Sequence, residues 1–600
     1  MDTKLLKTRD QIDDKYKWNI SKIYANDAEW EKDFLVLKSL IPEYSKFKGA
    51  LSDGQSLLGF LNLDEKIYRL YLKMYMYSTF RHHSDTSEPI YQSMMSKIEM
   101  CGTDMRTATS FFVSEIIELG DEIIDKMFES VPDLELYRKY IYTILDSKEH
   151  VLSKEVEAAL AQMSDAVAAP DAVYSSLCNS DMTFPKIKDE NGIEVDLTDS
   201  NYGAFIRSSN RRVREEAFKA IFGRFGEFKN TFATNLLAGV KNVCNLAKLR
   251  KYNSALEYGV DEDDIPVEVY NTTIDTINDN LSSLHKYVSL KKKLLGYEDI
   301  HMYDLYASLF EVPNNNYPFE TGVSMAKEAL SILGDDYINV LSKGLEDGWC
   351  DVYPNKGKRG GAYSWGSYDT MPYFFLNYVN ELNDVFTLVH ELGHSMHTYY
   401  SNKSQPFVYS GYTIFNAEVA STTNEIILVN HLIENTTDKN MRLYLITHEL
   451  EQIRTTVFRQ TMFAEFEKII HGKIDDGVGL SAQDICDIYY DLNVKYHGND
   501  MVVDDEIRME WARIPHFYSN FYVYKYVTGY AAATMFASTI LKNEPGALDN
   551  YKKFLCSGGS DYSIEIQKSC GVDMTTSTPI NTVISRFNYL LELLENEIEN

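Results

Sequence analysis

The sequence predicts a mainly α-helical protein with one small β-element, and three observations carry that prediction. Apolar residues recur at three- and four-residue spacing with charges between them, as a half-buried helix requires. Prolines number only 14 in 600 residues and rarely interrupt these segments. Strand-like alternation is confined to two short places. In chain order, residues 55–77 place Leu57, Phe60, Leu61, Ile67 and Leu70 on one helical stripe. Residues 181–198 read as a hairpin with Asn191-Gly192 at its turn. In residues 354–380, Lys358-Arg359-Gly360-Gly361-Ala362-Tyr363 supplies pliable backbone before a short strand, PYFFLNYV. Residues 380–400 return to helical periodicity through Val385, Leu388, Val389 and Leu392, and a further helix is expected around FNAEVASTTNE. Ile446, Leu450, Ile453 and Val457 make another stripe within residues 441–470. No Ser/Pro-rich linker separates these parts, and the turn near residue 192 marks the expected division into an N-terminal helical lobe (1–200) and the remainder (201–600).

Composition removes several classes of function. The chain is 44% hydrophobic and 25% charged, enough to bury a large core. Its formal charge of −30, from 59 basic against 89 acidic residues, disfavours nucleic acid and anionic membranes as partners. Seven scattered cysteines without a C-x-x-C pair suggest neither a disulfide framework nor a thiolate metal cluster. The first residues alternate charge with apolar side chains, and the most apolar stretch, residues 530–541, is too short to span a membrane. The protein therefore reads as soluble and cytoplasmic, and the sequence is silent on its oligomeric state.

The chemical signal is His390-Glu391-Leu392-Gly393-His394. Histidines four apart leave one helical face, so both imidazoles reach the same metal ion, and zinc is the ion this pattern favours. Glu391 sits about 100° around the helix from His390 and points beside the metal, where a general base for an activated water is needed. The metzincin continuation would require glycine and histidine at positions now held by His397 and Tyr400, which excludes that class. Between residues 395 and 417 there is no acidic residue, so Glu418 is the first available carboxylate for a third ligand. Glu425, two helical turns further, is a candidate partner for a ligand histidine, with an ordinary helix salt bridge as the alternative. His397 shares the face of the two histidines and is a rival ligand, although one turn further along it is better suited to a packed or hydrogen-bonded role.

The runs GKRGGAYSWGSYDTMPYFF, NDVFTLVHELGHSMHTYYS and FNAEVASTTNE, followed by WARIPHFYSNFYVYKYVTGYAAA and FLCSGGSDY, resemble the oligoendopeptidase F members of the thimet-oligopeptidase family of zinc metallopeptidases. The opening KWNISKIY is similar as well, so the likeness spans nearly the whole chain. It implies one zinc ion per chain held by His390, His394 and Glu418, with Glu391 as catalytic acid/base. It implies a transition-state role for His516 and for tyrosines after it. The family's tyrosine spacing is not kept, since the fifth and twelfth positions after His516 are Phe521 and Thr528. Tyr522, then Tyr530, then Tyr526 are the candidates, sharing one face if the segment is helical. The loop Gly360, Gly361, Ala362 and Tyr363 is expected to meet substrate, and the strand after it to offer an edge to an extended peptide. The implied architecture is a large two-lobed helical metallopeptidase whose deep central cleft admits short unstructured peptides. An exopeptidase of the same family and a non-catalytic peptide- or metal-binding protein are the competing readings. Eight tyrosines between Tyr363 and Tyr412 and five between Tyr518 and Tyr530 make candidate lining for such a cleft.

Overall fold

A computed structural model describes residues 6–313 and 316–599. The chain is mainly α-helical, with three small sheets among the described residues. The stripe expected in residues 55–77 lies in a 31-residue helix, Gly54–Ser84, started by Asp53, whose side chain accepts the Ser56 N–H at 2.9 Å. Leu57, Phe60, Leu61 and Ile67 are buried in the core, and Leu70 packs at its margin. The hairpin forms as expected: Ile187 pairs with Val195 and Lys188 with Glu194, with Gly192 at φ +80° in the turn. All seven cysteines are free.

Two compact units divide the chain, and each is assembled from three segments. The first comprises Met1–Glu149, Asn314–His431 and Phe536–Gly571; the second comprises His150–Pro313, Leu432–Met535 and Val572–Asn600. The packing thus differs from the expected portions 1–200 and 201–600, for two physical reasons. Residues beyond 150 are bound into the second unit, where Asn235 donates to the Pro170 carbonyl at 2.8 Å and Asn242 to that of Val167 at 3.1 Å. Residues around the His390 motif return to the N-terminal segment, whose core includes Trp18, Phe80, Tyr373 and Phe375 together.

In the first unit a three-stranded sheet runs in the order Cys350–Asp351, Tyr373–Phe375, Tyr363–Trp365. The first pair is parallel and the second antiparallel, with Tyr363 opposite Phe375 and Trp365 opposite Tyr373. PYFFLNYV therefore supplies the central strand, not an exposed edge, and Tyr373, Phe374 and Phe375 have no solvent exposure. The edges are Tyr363–Trp365 and Cys350–Asp351 instead. Asp351 anchors the sheet from a fully buried position between Arg9 and Lys358, whose Nζ lies 2.7 Å from its Oδ1. Lys358 also donates to the carbonyls of Tyr353 (2.8 Å) and Leu376 (2.6 Å), so the glycine-rich loop is tied down at its start.

Candidate metal and catalytic site

The His390 helix, Leu382–Ser404, is capped by Asp384, whose side chain accepts the Glu381 N–H at 2.9 Å. Val385, Leu388, Val389 and Leu392 are fully buried and fix the rotation of the helix. A second helix, Ile414–Asn435, carries Glu418 and Glu425. Gly393 lets the two meet: a Cβ there would lie 2.5 Å from Ser421 Cα and 2.8 Å from the Ala420 carbonyl oxygen. No side chain larger than hydrogen fits that contact without moving a helix. Asn424 fastens the pair, donating to the Val389 carbonyl at 3.4 Å and to Tyr337 Oη at 3.1 Å.

This packing gathers His390, His394 and Glu418 into the one three-donor cluster suited to a metal among the described residues. The two Nε2 atoms are 3.1 Å apart, and Glu418 Oε2 lies 3.3 Å from that of His390 and 3.5 Å from that of His394. Tetrahedral ligands about 2.0–2.1 Å from zinc stand about 3.3 Å from one another, so the donors fit that ion in type and spacing. Glu425 hydrogen-bonds His390 Nδ1, which leaves Nε2 free to ligate. The Ser421 hydroxyl is 3.1 Å from Glu418 Oε2 and steadies it. Burial by itself disfavours a charged His390, but the carboxylates of Glu418 and Glu425 outweigh it and hold the imidazole well above its usual pKa. Glu418 is likewise driven well below the carboxylate range by the two imidazoles, against the effect of burial. Two carboxylates flanking two imidazoles make a pocket that favours positive charge.

Glu391 follows His390 on the same helix. It is 5% exposed, and its Oε2 is buried without a hydrogen-bond partner. Burial raises its pKa, and the imidazoles of His390 and His394 oppose that rise. His397 stands apart from the cluster: it stacks flat on Tyr412, ring centroids 3.8 Å apart, and burial pushes its pKa down to about 3. That is the packed role, not a ligand.

Gly360, Gly361 and Ala362 are exposed, with Gly361 at φ +87°. Asn377 holds this loop by donating to the carbonyls of Arg359 (3.0 Å) and Gly361 (2.8 Å). Tyr363 is turned inward, its hydroxyl 2.8 Å from His83 Nδ1 and its ring stacked on Phe375. The strand it begins is joined to the His390 helix by Ser364, whose hydroxyl is 2.8 Å from that of Ser395.

His516 and its tyrosines belong to the second unit. His516 Nε2 is 3.3 Å from Tyr526 Oη, and Tyr522 packs edge-on against Tyr526 with centroids 5.4 Å apart. Burial, and then Arg459, lower the His516 pKa. The three tyrosines do not share one helical face. The helix begins at Tyr524, and Tyr522 precedes it, after a turn at Phe521 with φ +55°. The Phe521 ring seats against Gly259, where a Cβ would lie 2.4 Å away, and its N–H donates to Glu467 Oε1 at 3.0 Å. Tyr526 and Tyr530 are on the helix, and Tyr530 is only 9% exposed. Sequence spacing missed Ser421, Asn424 and Ser364; Asn424 and Ser364 act through partners brought near only by helix or strand packing. The three-residue step from Glu418 to Ser421 is the one signal that was available.

Two histidines from one helix turn, a carboxylate from the next helix and a buried glutamate beside them form an HExxH arrangement with the donor set of a metal site on a helical scaffold. Comparison with known proteins makes the assignment particular, and the chain belongs to peptidase family M3. The model for that family matches residues 204–585, and one described as oligopeptidase F matches residues 115–184. The chain is 42% identical to oligopeptidase PepF of Bacillus subtilis, over 98% of this chain and 88% of that one. It is 36% identical to the group B oligopeptidase PepB of Streptococcus agalactiae, over 98% of both. Among solved structures, a putative peptidase from Chlamydophila abortus superposes with a TM-score of 0.93 at 34% identity, covering 99% of this chain and all of the other. The oligoendopeptidase-F from Enterococcus faecium gives 0.74 at 37% identity, covering 96% and 99%. Membership makes the protein a peptidase. Among the described residues no helix is long and apolar enough to cross a membrane.

Proposed function

We propose that the protein is a zinc-dependent endopeptidase of the cytoplasm that hydrolyses short unstructured peptides with one metal ion per chain. The observation that carries the reading is Glu391: a buried carboxylate oxygen with no partner, one residue from a cluster of two imidazoles and a carboxylate. Burying such a group unsatisfied costs free energy that a structural role would not require. The residues that would hold the ion are His390, His394 and Glu418. When bound there, zinc supplies Lewis acidity that polarises a carbonyl and makes a water acidic near neutral pH.

The chain's own groups do the rest. Glu425 keeps His390 in the tautomer that presents Nε2. Glu391, raised in pKa by burial, takes a proton from the attacking water and returns it to the leaving amine. His516, with Tyr522, Tyr526 or Tyr530, is the candidate donor to the oxygen that becomes negative in the transition state. The loop Gly360, Gly361, Ala362 and Tyr363 and the edge strand after it are assigned to the peptide backbone. The oligopeptide preference is supported by the names of the relatives, oligopeptidase and oligoendopeptidase.

The test is a series of end-blocked quenched peptides of increasing length, with chelator and with zinc restored. Internal cleavage of the shorter peptides, abolished by chelation and recovered with zinc, is the expected result. Chelator-insensitive cleavage would refute the metal assignment, removal of terminal residues alone would make it an exopeptidase, and equal cleavage of folded proteins would refute the oligopeptide limit.

A further inference from the structure

The second unit holds a cavity of about 400 Å³ lined entirely by its own residues. For a chain of net charge −30 its lining is unusual: Arg207, Arg454, Arg459 and Arg513, against Glu510 as the one carboxylate. The remaining wall is largely apolar, with Phe218, Phe222, Phe458 and Tyr306 among it.

The arginines are not fully used by protein partners. Arg454, 2% exposed, gives Nε and Nη2 to Glu451 Oε2 at 3.0 and 2.7 Å, leaving Nη1 without a protein acceptor among the described residues. Glu451 is shared, since the fully buried Lys291 also pairs with it at 2.9 Å. Arg459 gives only Nη2, to Glu510 at 2.8 Å, and Glu510 also accepts from Tyr489. Arg207, which is exposed, donates to the Gly203 carbonyl and lies 6.0 Å from the Tyr306 ring, which Arg454 approaches at 4.6 Å; Arg513 pairs with Asp199 at 2.6 Å. Lys291 and Arg454 therefore share one carboxylate, and Arg454 and Arg459 keep N–H groups that no protein acceptor takes among the described residues.

Local backbone geometry points the same way. The stripe read as one helix in residues 441–470 is broken by a π-turn at Arg454–Phe458, between the helices Lys439–Ile453 and Arg459–Asp475. Such turns are uncommon and concentrate at functional sites. Arg454, Thr455, Phe458, Arg459 and Met462 all line the cavity, so this segment turns two guanidinium groups and an aromatic ring into it. Guanidinium forks match carboxylate and phosphate oxygens, and the volume falls at the small end of small-molecule sites.

We propose that this cavity binds a small organic anion, a carboxylate or phosphate monoester on an aromatic body, with the anionic group on Arg454 and Arg459 and the ring against Phe458, Phe218 and Phe222. The cavity lies in the second unit, whereas the His390 cluster lies in the first. The experiment is calorimetric titration of the full chain with phenyl phosphate and with phenylacetate, using benzyl alcohol as the neutral analogue. Saturable one-to-one binding of at least one anion, and none of the alcohol, is expected; which anion binds more tightly identifies the headgroup. Because Arg454 substitutions leave Glu451 underpaired, the diagnostic variants are Arg459→Lys, which keeps a charge for Glu510 but loses the fork, and Tyr306→Leu. Each should weaken binding about tenfold or more, while His390→Ala leaves it unchanged. Anion binding no stronger than that of the alcohol, binding within twofold of the native value in both variants, or loss of binding in His390→Ala would overturn the proposal.

Discussion

Glu391 and Glu425 stand on either side of His390 and meet opposite conditions. Glu425 spends its charge on the imidazole Nδ1, whereas Glu391 keeps an unpaired oxygen in a buried position. Glu391→Gln preserves shape and removes the base, so the variant should retain zinc by elemental analysis while kcat falls about 10²–10⁴-fold. Glu425→Ala should instead weaken zinc binding about 10–100-fold in a competition titration with a chromogenic chelator, with activity recovered at high zinc. Both glutamates were legible in the sequence, Glu391 as the neighbour of His390 and Glu425 as two helical turns beyond Glu418, but only the packing of the two helices brings Glu425 to His390. The part played by His397 was legible only as a preference. What decides it is Tyr412, fifteen residues on, whose ring lies parallel to the imidazole and stacks on it.

At the level of elements, two close contacts govern what the side chains can do. Gly393 sets the distance between the helices that bring the ligands together, and Gly393→Ala would place a methyl against Ser421 Cα. The variant should lose zinc affinity and melt at a lower temperature even though every ligand remains; scanning calorimetry with and without zinc reads both effects. The second contact is Glu467 under the Phe521 turn. Its carboxyl has no exposure, and burial pushes its pKa up to about 8, partly offset by the Phe521 N–H. An acid whose folded pKa exceeds its unfolded value favours folding most below the unfolded value, near 4.5, and that contribution drains away as pH rises through about 8. Glu467→Gln keeps an acceptor for Phe521 without the charge. Its melting temperature relative to the native protein should rise steadily between about pH 5 and about pH 9. Equal differences at both pH values would contradict this. Periodicity could not anticipate the Phe521 turn: it reads Tyr522, Tyr526 and Tyr530 as one face, and only the packing of Phe521 against Gly259 shows that the helix starts later.

For the molecule as a whole, the first unit is joined from distant segments, and its ligand helices are held by contacts as far apart in sequence as Tyr337 with Asn424 and Tyr551 with the Ala420 carbonyl. Zinc bound by the folded cluster and not by the unfolded chain should therefore stabilise the protein, by about 2.7 kcal/mol at a hundredfold excess over Kd. The expected observation is a zinc-dependent rise in melting temperature that is absent in His390→Ala. The sequence by itself determined the helical class, the hairpin, the metal-type motif with Glu418 and Glu425, and the family, because each is written in spacings of a few residues or in runs matched in order. The tertiary structure decided how the chain is shared between two units, which strands form the sheet edges, why position 393 must be glycine, and how four arginines come to face one cavity. Those features depend on segments hundreds of residues apart meeting at contact distance, and no local periodicity encodes which surfaces meet.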